Sequence, residues 1–237
     1  MMKLTVLGNT GPFPGPGGAC SGYLLQVNNR RIVLDFGNGT FANLQKFLSI
    51  HEIDMIILSH LHPDHFSDLY VLRYALQNSG LKMPVYAPSE PPLEAASLFY
   101  KDIYQIKNIS EESKIEIDDI NITFKKMKHP VLDFAIKIET PQKTFVYTGD
   151  TTYIEDLIDF SREVDALLID AAFLEDTESL IHCCVKQACE IGNKALVKKL
   201  ILTHFNPYVD PKKYLEKGES IFEGAIEITE IGKTLAL

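Results

Sequence analysis

The sequence predicts an α/β fold. Short apolar runs ending in turn signals recur along the chain, as strands do. Between many of them lie segments with apolar residues three and four apart, the spacing of an amphipathic helix. Apolar residues fill 46% of the 237 positions, enough to bury a full core and to exclude disorder. No linker, charge block or repeat interrupts the chain, which predicts a single domain over residues 1–237.

The elements follow in order. KLTVLG and YLLQV read as strands, and between them GNTGPFPGPGGACSG is too rich in Gly and Pro to be regular. It reads as a surface loop or the lip of a substrate site, and it does not match the phosphate-cradling pattern G-x-x-x-x-G-K-[ST]. RRIVLDFGNG is a strand running into a turn, followed by helical spacing through Phe41, Leu44, Phe47 and Leu48. IDMIILS is apolar on both faces, as a central strand is. The helix after it carries Leu69, Leu72, Tyr74 and Leu76 and closes at Gly80. PVYAP, DIYQI, KIEI, INITFKKMKH, FAIKIET and KTFVYTGD make the middle strand-rich, with PPLEAASLFYK a short helix opened by its prolines. Strand and helix then alternate: YIEDLIDFSRE leads to DALLID, VKQACEIGNKA to KKLILTH, and PKKYLEK to a last strand near AIEIT.

Totals restrict the partners. With 23 cationic and 32 anionic side chains the net charge is −9, so the overall field repels phosphate backbones and anionic lipid. Nucleic acid could bind only locally. No segment reaches the roughly 20 apolar residues of a membrane span, and MMKLTVLGNTG lacks a leader's basic and apolar regions, so a cytoplasmic location is expected. Oligomeric state stays open, a homo-oligomer included. Cys20, Cys183, Cys184 and Cys189 lack C-x-x-C spacing, and three crowd into one predicted helix; reduced, buried thiols follow.

The chemistry concentrates in SHLHPDH, residues 59–65, directly after the apolar run IDMIILS. Side chains leaving a strand's carboxyl end converge on one crevice. Histidines two apart, His60 and His62, can point the same way from extended backbone, while Pro63 turns Asp64 and His65 toward a second position. A lone histidine is usually a core or surface residue; four candidate ligands in six positions are different. His129 in MKH, Asp150 in VYTGD and His204 in LILTH repeat the setting, each where an apolar strand stops. Five histidines and two aspartates exceed one tetrahedral site. They divide into His60, His62 and His129 on one ion and Asp64, His65 and His204 on another, with Asp150 bridging. Nitrogen and oxygen donors without cysteine suit two divalent ions, Zn²⁺ foremost, with Mn²⁺ or Fe as alternatives. Such a pair can hold a bridging hydroxide and clamp an oxyanion, which suits hydrolysis of an ester or phosphodiester.

H-L-H-P-D-H, then His129, T-G-D-T and T-H-F, in that order, resembles the metallo-β-lactamase superfamily of hydrolases across almost the whole chain. The resemblance implies a four-layer αββα sandwich with a dinuclear site along one edge and the same division of ligands. It also places Asp35 where the family has a structural aspartate beside the site. The H-P pair, ALLIDAAF and His182 ahead of a helix look most like the ribonuclease Z and phosphodiesterase branch. There Glu-Ala-Thr and His-Ser-Thr flank the site; here Asp170-Ala171-Ala172 and His182-Cys183-Cys184 keep the carboxylate and imidazole and lose the hydroxyls. By that resemblance His182 acts as general acid, Asp170 holds its tautomer, and the ligand Asp64 completes the catalytic set.

Ribonuclease Z enzymes that process transfer RNA carry a long arm between the third-ligand histidine and the bridging aspartate. Only PVLDFAIKIETPQKTFVYTG intervenes here, so no arm fits. Lys125, Lys126 and Lys128 could grip phosphate but read better as a solvated strand face. The expected activity is therefore hydrolysis of a small phosphodiester or cyclic phosphate. Transfer RNA 3′ processing is one alternative; a carboxylic or sulfuric ester hydrolase, such as a lactonase or arylsulfatase, is another. A non-enzymatic metal or redox scaffold ranks last.

Overall fold

The computed structural model describes residues 2–77, 79–177 and 179–237. The chain forms two compact units. The first runs to Ile109 and takes in Glu230–Ala236; the second is Ser110–Thr229 with Leu237.

The first unit is a seven-stranded sheet. Its strands are β1 (Met2–Gly8), β2 (Gly22–Val27), β3 (Arg30–Phe36), β4 (Met55–Ile57), β5 (Met83–Ala87), β6 (Tyr104–Asn108) and β14 (Thr234–Ala236). The order is β14-β1-β2-β3-β4-β5-β6. β14, β1, β2 and β3 pair antiparallel, and β3 to β6 pair parallel. IDMIILS supplies only three strand residues, all buried, as a central parallel strand requires. The helices are α1 (Thr40–Leu44), α2 (Pro63–Phe66), α3 (Leu69–Leu76) and α4 (Pro92–Ser97). Leu44, Leu69, Leu72 and Leu76 join Val33, Ile56 and Val85 in one buried cluster.

Three expectations are corrected here. Helix α1 stops at Leu44, so Phe47 lies beyond it and is 42% exposed. The helix expected up to Gly80 ends at Leu76; Asn78 of that segment lies outside the described residues. Tyr74, placed by spacing on the apolar stripe, faces out and meets Tyr100 at a tilt, with Arg73 over both rings. Its amphipathic ring, not core packing, satisfies the spacing.

The second unit repeats the plan. Its strands are β7 (Lys114–Ile117), β8 (Ile120–Lys126), β9 (Phe134–Glu139), β10 (Thr144–Tyr147), β11 (Ala166–Asp170), β12 (Lys199–Thr203) and β13 (Ala225–Ile228). β7 to β10 form an antiparallel meander and β10 to β13 run parallel. β8 alternates buried and solvated positions, whereas β11 is buried throughout, the signatures of a one-faced and a two-faced strand. The helices are α5 (Glu155–Phe160), α6 (Val185–Ala195) and α7 (Pro211–Glu219). Asp210 opens α7 by accepting from Lys212 N at 3.0 Å, with Pro211 as first helical residue. Leu157, Val185, Ala188, Ile191 and Tyr214 from these helices pack on Leu167, Ile169, Leu200 and Leu202.

All four cysteines are free and buried, yet Cys183 and Cys184 precede α6, and only Cys189 lies in it. The final strand is β14, not AIEIT: three residues from the chain end close the far edge of the first sheet. So short a strand carries no periodicity of its own.

Candidate metal centre

In the first unit the site begins at two strand ends. β3 lies parallel to β4 with Leu34 opposite Ile57, so Asp35 comes beside Ser59. Asp35 adopts φ +56°, a left-handed turn that aspartate tolerates better than most residues. That turn aims a fully buried carboxylate at the SHLHPDH segment. Oδ1 accepts Ser59 N at 2.7 Å, and Oδ2 accepts the Ser59 hydroxyl at 2.8 Å and His65 Nδ1 at 2.7 Å.

These bonds fix tautomers. A carboxylate only accepts, so Ser59 gives its proton to Asp35 and takes one from His60 Nδ1, 3.0 Å away. His60 Nε2 is left as a lone pair, 3.1 Å from His62 Nδ1. Two ligands of one tetrahedral zinc stand about 3.3 Å apart. His65 likewise presents Nε2 as an acceptor, 3.6 Å from Asp64 Oδ2. Two acceptors facing one another is an arrangement a cation satisfies. His60 and His65 rings pack at 4.0 Å, so the four side chains form one cluster. Gly37 permits this closeness: a Cβ there would lie 1.9 Å from Asp64 O.

The second unit builds its cluster from four strand ends. Asp150 follows β10 through Gly149 (φ +61°), and its backbone N–H donates to Asp133 Oδ2 at 3.0 Å. His204, at φ +63°, ends β12 and sets Nδ1 3.3 Å from Asp150 Oδ1. His129 Nδ1 donates to the carbonyl of Ile181 at 3.0 Å, which leaves Nε2 as the ligand nitrogen. Asp170, at the end of β11, is fully buried. It accepts Thr151 N at 3.1 Å, Ala172 N at 2.9 Å and His182 Nδ1 at 2.9 Å. His182 stacks on His204 at 5.0 Å and sits 3.8 Å from Asp150 Oδ2. His129, Asp150 and His182 offer donor atoms within 4.8 Å of one another.

Thus His60, His62, Asp64 and His65 come together in one unit, and His129, Asp150, His182 and His204 in the other, each with a buried aspartate behind it. The donor chemistry fits divalent cations: imidazoles, those of His60, His65 and His129 with Nδ1 engaged and Nε2 left to the site, beside carboxylates, and no cysteine. Lys125 pairs with Glu111 and Asp156, at 3.1 and 2.9 Å, while Lys126 and Lys128 are solvated. Three supporting groups escaped the sequence reading: Ser59, Asp133 and Ser179. Asp133 had a signal, a charged residue entering an apolar strand; the serines had none. Among the described residues no helix is long and apolar enough to cross a membrane.

Residues 30–205 match the family described as the beta-lactamase superfamily domain. A "probable metallo-hydrolase YhfI" of Bacillus subtilis is 28% identical over 98% of both chains. The crystal structure of that metallo-beta-lactamase fold protein superposes with TM-score 0.93 at 30% identity, covering 99% of this chain and 98% of the other. The ribonuclease Z of Clostridioides difficile is 27% identical over 95% of each chain.

Proposed function

Because this chain belongs to the metallo-β-lactamase superfamily, whose fold it has, we propose that it is a dinuclear metal-dependent phosphodiesterase. Its substrate is a small phosphodiester or a cyclic phosphate. We assign His60, His62 and His129 to one ion, Asp64, His65 and His204 to the other, and Asp150 to the bridge. Zn²⁺ suits these donors best, with Mn²⁺ or Fe as alternatives. When bound, the ions supply Lewis acidity toward phosphoryl oxygens and make water nucleophilic at neutral pH.

The observation that carries the reading is the His182–Asp170 pair. A hydrolase of this kind needs a proton for the departing oxygen, and His182 can deliver it from Nε2 while Nδ1–H stays on Asp170 at 2.9 Å. Asp170 is held by two backbone N–H groups, so it orients the imidazole and stabilises the imidazolium. Asp35 does the equivalent for His65 and, through Ser59, for His60. A site meant only to store metal needs neither proton donor nor its orienting carboxylate.

Transfer RNA is a poor substrate on this geometry. Between His129 and Asp150 the chain is a hairpin of β9 and β10 joined through Thr140–Lys143, with no projecting arm. The net charge of −9 opposes a polyanion further.

Asp150→Ala tests the assignment. The variant should lose bound metal and turnover of bis(p-nitrophenyl) phosphate together, while the parent keeps both. Turnover by the variant at the parent's rate refutes the reading.

A further inference from the structure

A loop links β11 to α6, its neck closed where Phe173 pairs with Cys184. Phe173 N donates to Cys183 O at 3.3 Å, and Val185 N to Phe173 O at 3.0 Å. Lys217 of α7 grips one limb, its Nζ donating to Leu174 O and Asp176 Oδ1, both at 2.8 Å. The other limb is tied from outside at two points and braced within itself. Thr152 Oγ1 donates to Ser179 O at 2.8 Å, and His129 Nδ1 to Ile181 O at 3.0 Å. Ser179 Oγ accepts from Ile181 N and His182 N, each at 3.1 Å.

So tethered, the backbone of Ser179 to His182 is held in place, yet its crest is apolar. Leu180 is 76% exposed and Ile181 39%. Apolar residues scattered singly on a surface need no explanation. These two are consecutive, and Ile181 adjoins His182 and accepts from His129 through its carbonyl. Beyond His182 lies Phe173, its ring 6.1 Å from the imidazole. Apolar surface on a pre-ordered backbone loses little entropy when a ligand covers it. A substrate with only sugar or glycerol arms would leave that surface wet.

We propose that Leu180 and Ile181 form a rest for a flat apolar ring, an aryl or heterocyclic group, on one ester arm of the substrate. This rests on the phosphodiesterase reading above. Phosphonates separate the two, because they keep the anionic phosphorus group and cannot be hydrolysed at the carbon–phosphorus bond. Calorimetric titration of the metal-loaded protein compares phenylphosphonate with methylphosphonate. The parent should bind the phenyl compound roughly ten-fold tighter, as expected for covering a ring. In the double variant Leu180→Ser, Ile181→Ser the phenyl-to-methyl affinity ratio should shrink to about two-fold, with the melting temperature confirming that it folds.

A ratio that survives in the variant overturns the inference, as does a parent that binds methylphosphonate without preferring the ring. If neither phosphonate binds the parent, the inference also falls. Metal content of the same sample then tells whether the phosphodiesterase reading falls with it: metal present, it stands; metal absent, it does not.

Discussion

Replacing Asp35 by Asn tests how the histidines are held. The carboxylate receives three protons, from Ser59 N, Ser59 Oγ and His65 Nδ1, at 2.7, 2.8 and 2.7 Å. Asparagine is nearly isosteric and accepts the same left-handed φ of +56°, so neither cavity nor backbone strain enters. Its amide oxygen can still take Ser59 N, and the Ser59 hydroxyl can rotate to accept from the new NH₂. His65 Nδ1–H then faces a donor with no acceptor. Stranding one buried donor costs about 1–3 kcal/mol. The imidazole escapes only by moving its proton to Nε2, which removes the lone pair assigned to metal. Either way the variant should bind divalent metal roughly 10–100-fold more weakly. Metal-free stability should fall by no more than about 3 kcal/mol. Competition with a chelator of known affinity measures the first quantity and urea unfolding the second. Unchanged metal affinity would show that Asp35 does not set the His65 tautomer, and the reasoning fails.

Two further outcomes follow from the same geometry. Asp170→Asn must turn an N–H toward Thr151 N and His182, or toward Ala172 N, so turnover should drop about 10²–10⁴-fold with metal content preserved. The alkaline limb of its pH–rate profile should move to lower pH, because the imidazolium loses its counter-charge; an unmoved limb counts against His182 as acid. Burial pushes the Cys189 thiol from 9.0 up to about 12. The native state therefore keeps a proton that the unfolded chain releases, so stability holds below pH 9 and declines between pH 9 and 12. The slope approaches about 1.4 kcal/mol per pH unit for each such thiol. Urea unfolding at several pH values, for the parent and Cys189→Ala, should show a shallower decline in the variant; equal slopes would sink the assignment.

Much of the site was legible because strand endings are local events. An apolar run followed by His or Asp announces where a strand stops and which side chain stands there, and this singled out His60, His129, Asp150 and His204. Spacing within SHLHPDH paired His60 with His62 and Asp64 with His65, and the structure sets His60 Nε2 3.1 Å from His62 Nδ1 and His65 Nε2 3.6 Å from Asp64 Oδ2. Periodicity failed where it had too few residues to act on, as in three-residue β14, or where an aromatic could satisfy an apolar position from outside, as Tyr74 does.

By itself, then, the sequence determined the chemical inventory, the strand–helix order and the family motif, since all three are written in neighbouring residues. Tertiary structure alone decided which buried carboxylate stands behind which residue of the site. Asp35 reaches His65, 30 residues away, because β3 lies beside β4; Asp133 reaches Asp150 because β9 lies beside β10. Asp170 reaches Thr151 and His182 from the end of β11. Hydrogen-bond partners are chosen by which strands become neighbours and in what register, and no local spacing encodes that choice.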